Sequence, residues 1–176
     1  MYTVVVLVEQ VMSANDAQEV VSLHDAIEDS RHYHILIPCE NAAARVETAL
    51  GALAASEVLA APPVLNDDLD VEKAQEDIDH SAETSVTASV AAIQALGHGA
   101  SGEFSSEDPI ETLGQVVSSH NANEVIVMTR PHVIQEFLHI DWASKARRRL
   151  GVPILHLLEH EPLNAEAGNG QGITGM

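Results

Sequence analysis

The chain has 176 residues, 45% of them hydrophobic, and a net charge of -19 from 27 acidic against 8 basic residues. That is enough for one globular domain with a real core, and its surface repels DNA and RNA phosphates while leaving cationic partners open. With 3% aromatic residues the core is aliphatic and base-stacking platforms are excluded, and the lone Cys39 closes no internal disulfide. No signal peptide opens the chain and no apolar run reaches membrane-spanning length, so a cytoplasmic location without membrane contact is expected.

The first predicted element is the strand TVVVLV, residues 3–8. NDAQEVVSLHDAIED follows, with apolar residues at Val20, Leu23 and Ile27, which is helical spacing. A second strand, YHILIP (33–38), precedes an Ala-rich helical stretch striped by Val46, Leu50 and Leu53. From Asn66 to Glu83 the chain carries Asp67, Asp68, Asp70, Glu72, Glu76, Asp77, Asp79 and Glu83 against Lys73 alone. The start of this run is expected to be a solvated loop, ahead of a helix that ends near Leu96. It lacks the ligand spacing and turn glycine of a calcium loop.

ALGHGASGEF (95–104) contains Gly97-x-Gly99-x-x-Gly102, the spacing of a dinucleotide fingerprint. That fingerprint holds phosphate only where a strand enters the glycines and a helix leaves them. Here a helix enters and a weak strand (99–104) leaves, so Gly97 is expected to cap a helix and the match to be a coincidence.

Asp108-Pro109-Ile110-Glu111 combines an N-cap, a first-turn proline and a glutamate three residues on, ahead of Leu113 and Val117. The strand EVIVMT (124–129) comes next. A longer helix then places Ile134, Phe137, Leu138, Trp142, Ala146 and Leu150 on one face, until Gly151 and Pro153 stop it before the last strand, PILHLL (153–158). Continuous apolar strands alternating with helices predict a three-layer, doubly wound α/β sheet over residues 1–160. The Gly- and Asn-rich segment 161–176 is expected to be a disordered tail.

GASGEFSSEDPIETLGQVVSSHNANEVIVMTR and ASKARRRLGVPILHLLE, with the N-terminal strand and the strand ending in ILIP, resemble the universal stress protein family. The resemblance spans most of residues 2–158. It implies the adenine nucleotide alpha hydrolase-like fold, a five-stranded parallel sheet in the order 3-2-1-4-5, with a crevice between strands one and four. ATP-binding members carry a Gly-x2-Gly-x9-Gly-[Ser/Thr] loop after strand four. Aligned without gaps, Met128 and Pro131 stand at the first two glycines, Asp141 at the third and Trp142 at the hydroxyl. Side chains, a missing N–H and a negative charge all oppose polyphosphate there, so ATP binding in the family manner is not expected.

The crevice candidates are Glu9, counterpart of the family's acidic residue at the end of strand one, with Thr129, Arg130 and His132 after strand four. Ten histidines suggest metal, but the pairs His32 and His34, His132 and His139, and His156 and His160 match no ligand motif, so structural or surface roles and no metal are expected. Lys145, Arg147, Arg148 and Arg149 complement a helix C-terminus, and Cys39 is read as a structural thiol.

No catalytic constellation is visible. The expected function is a regulatory or stress-response module rather than an enzyme. One alternative is a nucleotide-binding or hydrolysing protein with a rearranged crevice, and another is an acidic protein-interaction domain. A homodimer is expected through the fifth strand, which lies at the sheet edge and would bury Ile154 and Leu158.

Overall fold

A computed structural model describes residues 1–39, 68–129 and 149–158. In chain order they form β1 (Tyr2–Val8), α1 (Ala14–Ser22), β2 (Arg31–Pro38), α2 (Asp68–Ala95), β3 (Gly99–Ser105), α3 (Pro109–Ser119), β4 (Glu124–Thr129) and β5 (Ile154–Leu158). All strand pairings are parallel, and the order across the sheet is β3-β2-β1-β4-β5. The expected strands stand where the apolar runs put them, within two residues at each end.

Burial follows from position in the sheet. In the central β1, every residue from Thr3 to Val8 is buried, because both faces are covered. The pleat then divides the core. Val4, Val6 and Val8 pack with Val20 of α1, Ile93 of α2 and Tyr33 and Ile35 of β2. Val5 and Leu7 face the other way, onto Leu113, Val116 and Val117 of α3.

Helix starts are chemically explicit. At α3, Asp108 accepts hydrogen bonds from the Ile110 and Glu111 amides at 3.0 and 2.9 Å, with Pro109 in the first turn. At α1, Ser13 and Asp16 cap one another: the Ser13 hydroxyl accepts from the Asp16 amide at 3.2 Å, and the Ser13 amide donates to the Asp16 carboxylate at 3.0 Å.

Two expectations need correction. The helix expected to run through Ile27 ends at Ser22. Beyond it the backbone bonds tighten, His24 to Val21 and Ile27 to His24, and the His24 ring takes the Val20 carbonyl at 3.0 Å. The acidic run, expected to begin as a loop, is instead the first half of α2, which starts at Asp68 and is 28 residues long. Its interspersed Ala, Gln, Glu and Lys favour a helix, Gln75 donates to Asp79 one turn on at 2.7 Å, and Glu72, Lys73, Glu76, Asp77 and Glu83 are exposed to solvent. Ala82, Val86, Ser89 and Ile93 form the buried stripe.

The glycine cluster lies as expected between a helix and a strand. Gly97 has φ +85° and its amide bonds the Gln94 carbonyl, which is a helix C-terminus. Gly102 lets α2 approach β3, since a Cβ there would stand 2.9 Å from Val86 Cγ1 and 3.0 Å from the Ile35 carbonyl. The expected helix at 41–60, most of the helix at 134–150 and the tail at 161–176 lie outside the described residues. No described helix is long and apolar enough to cross a membrane.

Candidate functional site

The chain winds from β1 to β2 and β3 on one side of the sheet and returns to β4 and β5 on the other, so the topological switch point lies between β1 and β4. Ligands of open α/β sheets bind outside the C-terminal ends of the strands at such a point. The ladder there closes with Val8 opposite Met128, and the next residues along the two strands are Glu9 and Thr129. The structure therefore brings these two candidates to the same end of the sheet; Arg130 and His132 lie outside the described residues.

Three features shape this end. The β1–α1 turn is tied to α2, because the buried Met12 amide donates to Ser89 Oγ at 2.9 Å. The N-terminus of α1, whose free amides and dipole favour an anion, already carries a carboxylate: Asp16 is buried and bonded to Ser13. Met128 is a core residue near the end of β4. Its backbone lies inside the ladder between Val8 and Leu157, and its side chain packs with Val8 and Ile126.

Thr129 is buried at the end of β4, and its hydroxyl meets His156 Nε2 of β5 at 2.7 Å. Burial holds the His156 imidazole below the ordinary histidine range, which favours the uncharged ring beside the threonine hydroxyl, with the tautomer deciding which of the two donates. His156 is the neighbour of Thr129 that sequence reasoning missed. Thr129 stands in register with Leu158, and only the parallel ladder brings the ring two residues earlier back to it.

Four of the described histidines fall in two groups. At the opposite end of the sheet, His24 pairs with Glu124, whose second oxygen accepts from the Tyr2 hydroxyl at 3.3 Å, while the Tyr33 hydroxyl contacts His24 Nδ1 at 3.2 Å. This network resembles a catalytic constellation in its residue types, yet it sits at the N-terminal ends of β1 and β4, and it fastens the end of α1 to the sheet. His32, His34 and His120 gather on the face covered by α3. Cys39, just after β2, has its thiol pushed up by burial and then by Asp79, which suits the expected inert role.

No family model matches the chain, and no curated protein matches its sequence. Among solved structures, it is similar to a universal stress protein family protein of Arabidopsis thaliana with AMP bound, at 12% identity and a TM-score of 0.53, covering 93% of this chain and 97% of that one. A universal stress protein of Archaeoglobus fulgidus matches at 10% identity and a TM-score of 0.46, covering 89% and 93%. A family member from Burkholderia pseudomallei matches at 10% and 0.45, covering 89% and 96%. With its strand order, the Arabidopsis likeness establishes that the chain has the fold of the universal stress proteins.

Proposed function

We propose that the chain is a universal-stress-protein-like regulatory module whose crevice does not hold ATP in the family manner. The observation that carries this reading is Met128. A phosphate loop needs free amides with no side chain in the way, and here the first loop position is a buried strand residue paired on both sides. The Asp16 carboxylate at the α1 N-terminus and Glu9 add negative charge where a polyphosphate would sit. Losing two or three charge-assisted hydrogen bonds, each worth about 1.5 to 3 kcal/mol, weakens binding roughly a thousandfold or more. Isothermal titration with Mg-ATP is therefore expected to show no saturable heat at micromolar protein. A micromolar response would overturn the reading.

The AMP held by the Arabidopsis neighbour favours a second reading, a crevice for a nucleoside monophosphate. Such a ligand makes fewer demands on a phosphate loop. Parallel titrations with AMP and Mg-ATP separate the two: heat with AMP alone supports it, and silence with both leaves the regulatory module without a nucleotide.

The same reading includes self-association. Among the described residues β5 pairs only with β4, and Leu155 and Leu158 are 42% and 45% exposed, which supports a homodimer across this edge. Ile154 and Leu157 pack inward against the protein's own core, so Leu155 and Leu158 are the residues a partner would cover. Light scattering is expected to give a dimer at micromolar concentration and a monomer after Leu155→Lys with Leu158→Lys; a monomeric parent would remove the proposal.

A further inference from the structure

His34, Glu103 and His120 come from β2, β3 and the end of α3, and each brings one ligand atom to within 4.8 Å of the others. His34 is buried on the sheet face toward α3. Its Nε2 is 3.3 Å from Glu103 Oε1, and its Nδ1 is 2.9 Å from Ser101 Oγ. The same serine oxygen is 2.8 Å from His32 Nε2. His120, the C-cap of α3, lays its ring over His34 with centroids 4.0 Å apart and planes inclined by 30°. This cluster belongs to the β2–β3 half of the sheet, away from the β1–β4 switch point.

We propose that His34 Nε2, Glu103 and His120 bind one divalent transition-metal ion of the zinc type, with the fourth position open to water. Two imidazoles and a carboxylate form a ligand set for such ions. Ligand atoms at about 2.1 Å from a tetrahedral metal lie about 3.4 Å apart, so the cluster is within a side-chain rotation of closure. The two groups that must turn are free to do so: His120 is exposed, and the Glu103 side chain is 49% exposed. His34, the buried member, is already oriented. Its Nδ1 is held at Ser101, which also contacts His32, and its Nε2 is turned toward the carboxylate; in the tautomer protonated at Nδ1, Nε2 is the ligand atom. The negative end of the α3 dipole at His120 and the net charge of -19 both draw a cation in.

The test is Zn(II) titration of the full, chelator-treated chain by calorimetry, with Co(II) absorption reporting the geometry. One equivalent of Zn(II) is expected, with an intense tetrahedral-type Co(II) band. Glu103→Gln and His120→Ala, both at exposed positions, should each weaken binding at least tenfold, and Ser101→Ala about tenfold. His80→Ala, on the solvent face of α2, should change nothing. In the unmodified protein, Zn(II) should move the His34 and His120 imidazole resonances and leave that of His80 in place, a readout that does not depend on any variant folding. Absence of saturable Zn(II) binding overturns the proposal. So does binding that both ligand variants leave unchanged, which would place the ion on other groups.

Discussion

The His24 imidazole and the Glu124 carboxylate, 100 residues apart in the chain, meet where the end of α1 crosses the start of β4. Both ring nitrogens face oxygen atoms, since Nδ1 lies 3.0 Å from the Val20 carbonyl, and the Arg31 guanidinium holds the His24 carbonyl at 2.7 Å. Removing one partner leaves the other buried without its bond. Glu124→Ala is expected to destabilise the fold by about 1 to 3 kcal/mol, read as a lower urea midpoint at unchanged slope. Tyr2→Phe, which removes only the longer bond to Glu124, should cost less.

Tyr33 has no exposed surface, and burial pushes its phenol up to about 12 from an ordinary value of 10.0, with Glu124 and Asp25 adding to the rise and Arg31 opposing it. Burial, followed by Glu124, raises Tyr2 as well. The unfolded chain therefore releases these protons first, and stability is fully present below pH 10 and falls as pH climbs from there toward 12. A spectrophotometric titration of the native protein should show no tyrosinate step at pH 10. A step there without loss of circular dichroism would contradict the burial of these rings.

His156 points the other way. Its folded imidazole is held below the ordinary 6.5 by burial, so the unfolded state binds the proton more readily. The stability it contributes is present above 6.5 and drains as pH falls through the folded midpoint. Proton NMR should place that midpoint below 6.5, and His156→Gln should flatten the acid side of the stability profile. A midpoint at or above 6.5 would refute the assignment.

The strands and the α3 start were legible because their causes are local: uninterrupted Val, Ile and Leu for a sheet covered on both faces, and Asp108-Pro109 for the cap. The end of α1 was not, because the His24 ring reaches for Glu124 on a strand far along the chain. The start of α2 was obscured by its charges, which read as a loop when counted and as a solvated helix face when placed around an axis. Glu9 and Thr129 were legible as the ends of two strands, whereas His156 and the His34–Glu103–His120 group depend on register between strands and helix. No spacing within one segment encodes that register.

Two glycines test the packing in opposite directions. At Gly102 an added Cβ would press on the Ile35 backbone and on Val86, so Gly102→Ala should cost about 1 to 3 kcal/mol. At Gly114 in α3 the nearest atom to an added Cβ is Leu150 Cδ2 at 3.7 Å, an ordinary contact, so Gly114→Ala should stabilise by about 0.5 to 1 kcal/mol. Thermal unfolding of the two variants should shift to opposite sides of the parent.

A glycine in place of Met128 near the end of β4 is expected to damage the protein. Met128 is 1% exposed among Val8, Ile126 and their neighbours. Met128→Gly empties that volume and loosens the strand, at a cost of about 3 to 5 kcal/mol. Denaturant unfolding gives the loss directly. A variant as stable as the parent would show that the residue is not part of the core.

The first of the five strands in chain order occupies the middle of the sheet. Thr3 exchanges hydrogen bonds with Asn123 across 120 positions, its amide donating to the Asn123 side chain and its carbonyl accepting from the Asn123 amide. During synthesis β1 can pair with β2 early, but its other edge waits for β4. At about 5 to 20 residues per second that wait is roughly 6 to 24 s. Throughout it, the nascent chain carries an apolar strand open along one side, a template for wrong partners until the ribosome releases the right one. The central place of β1 in the sheet thus leaves an open strand edge for as long as β4 is still to be made.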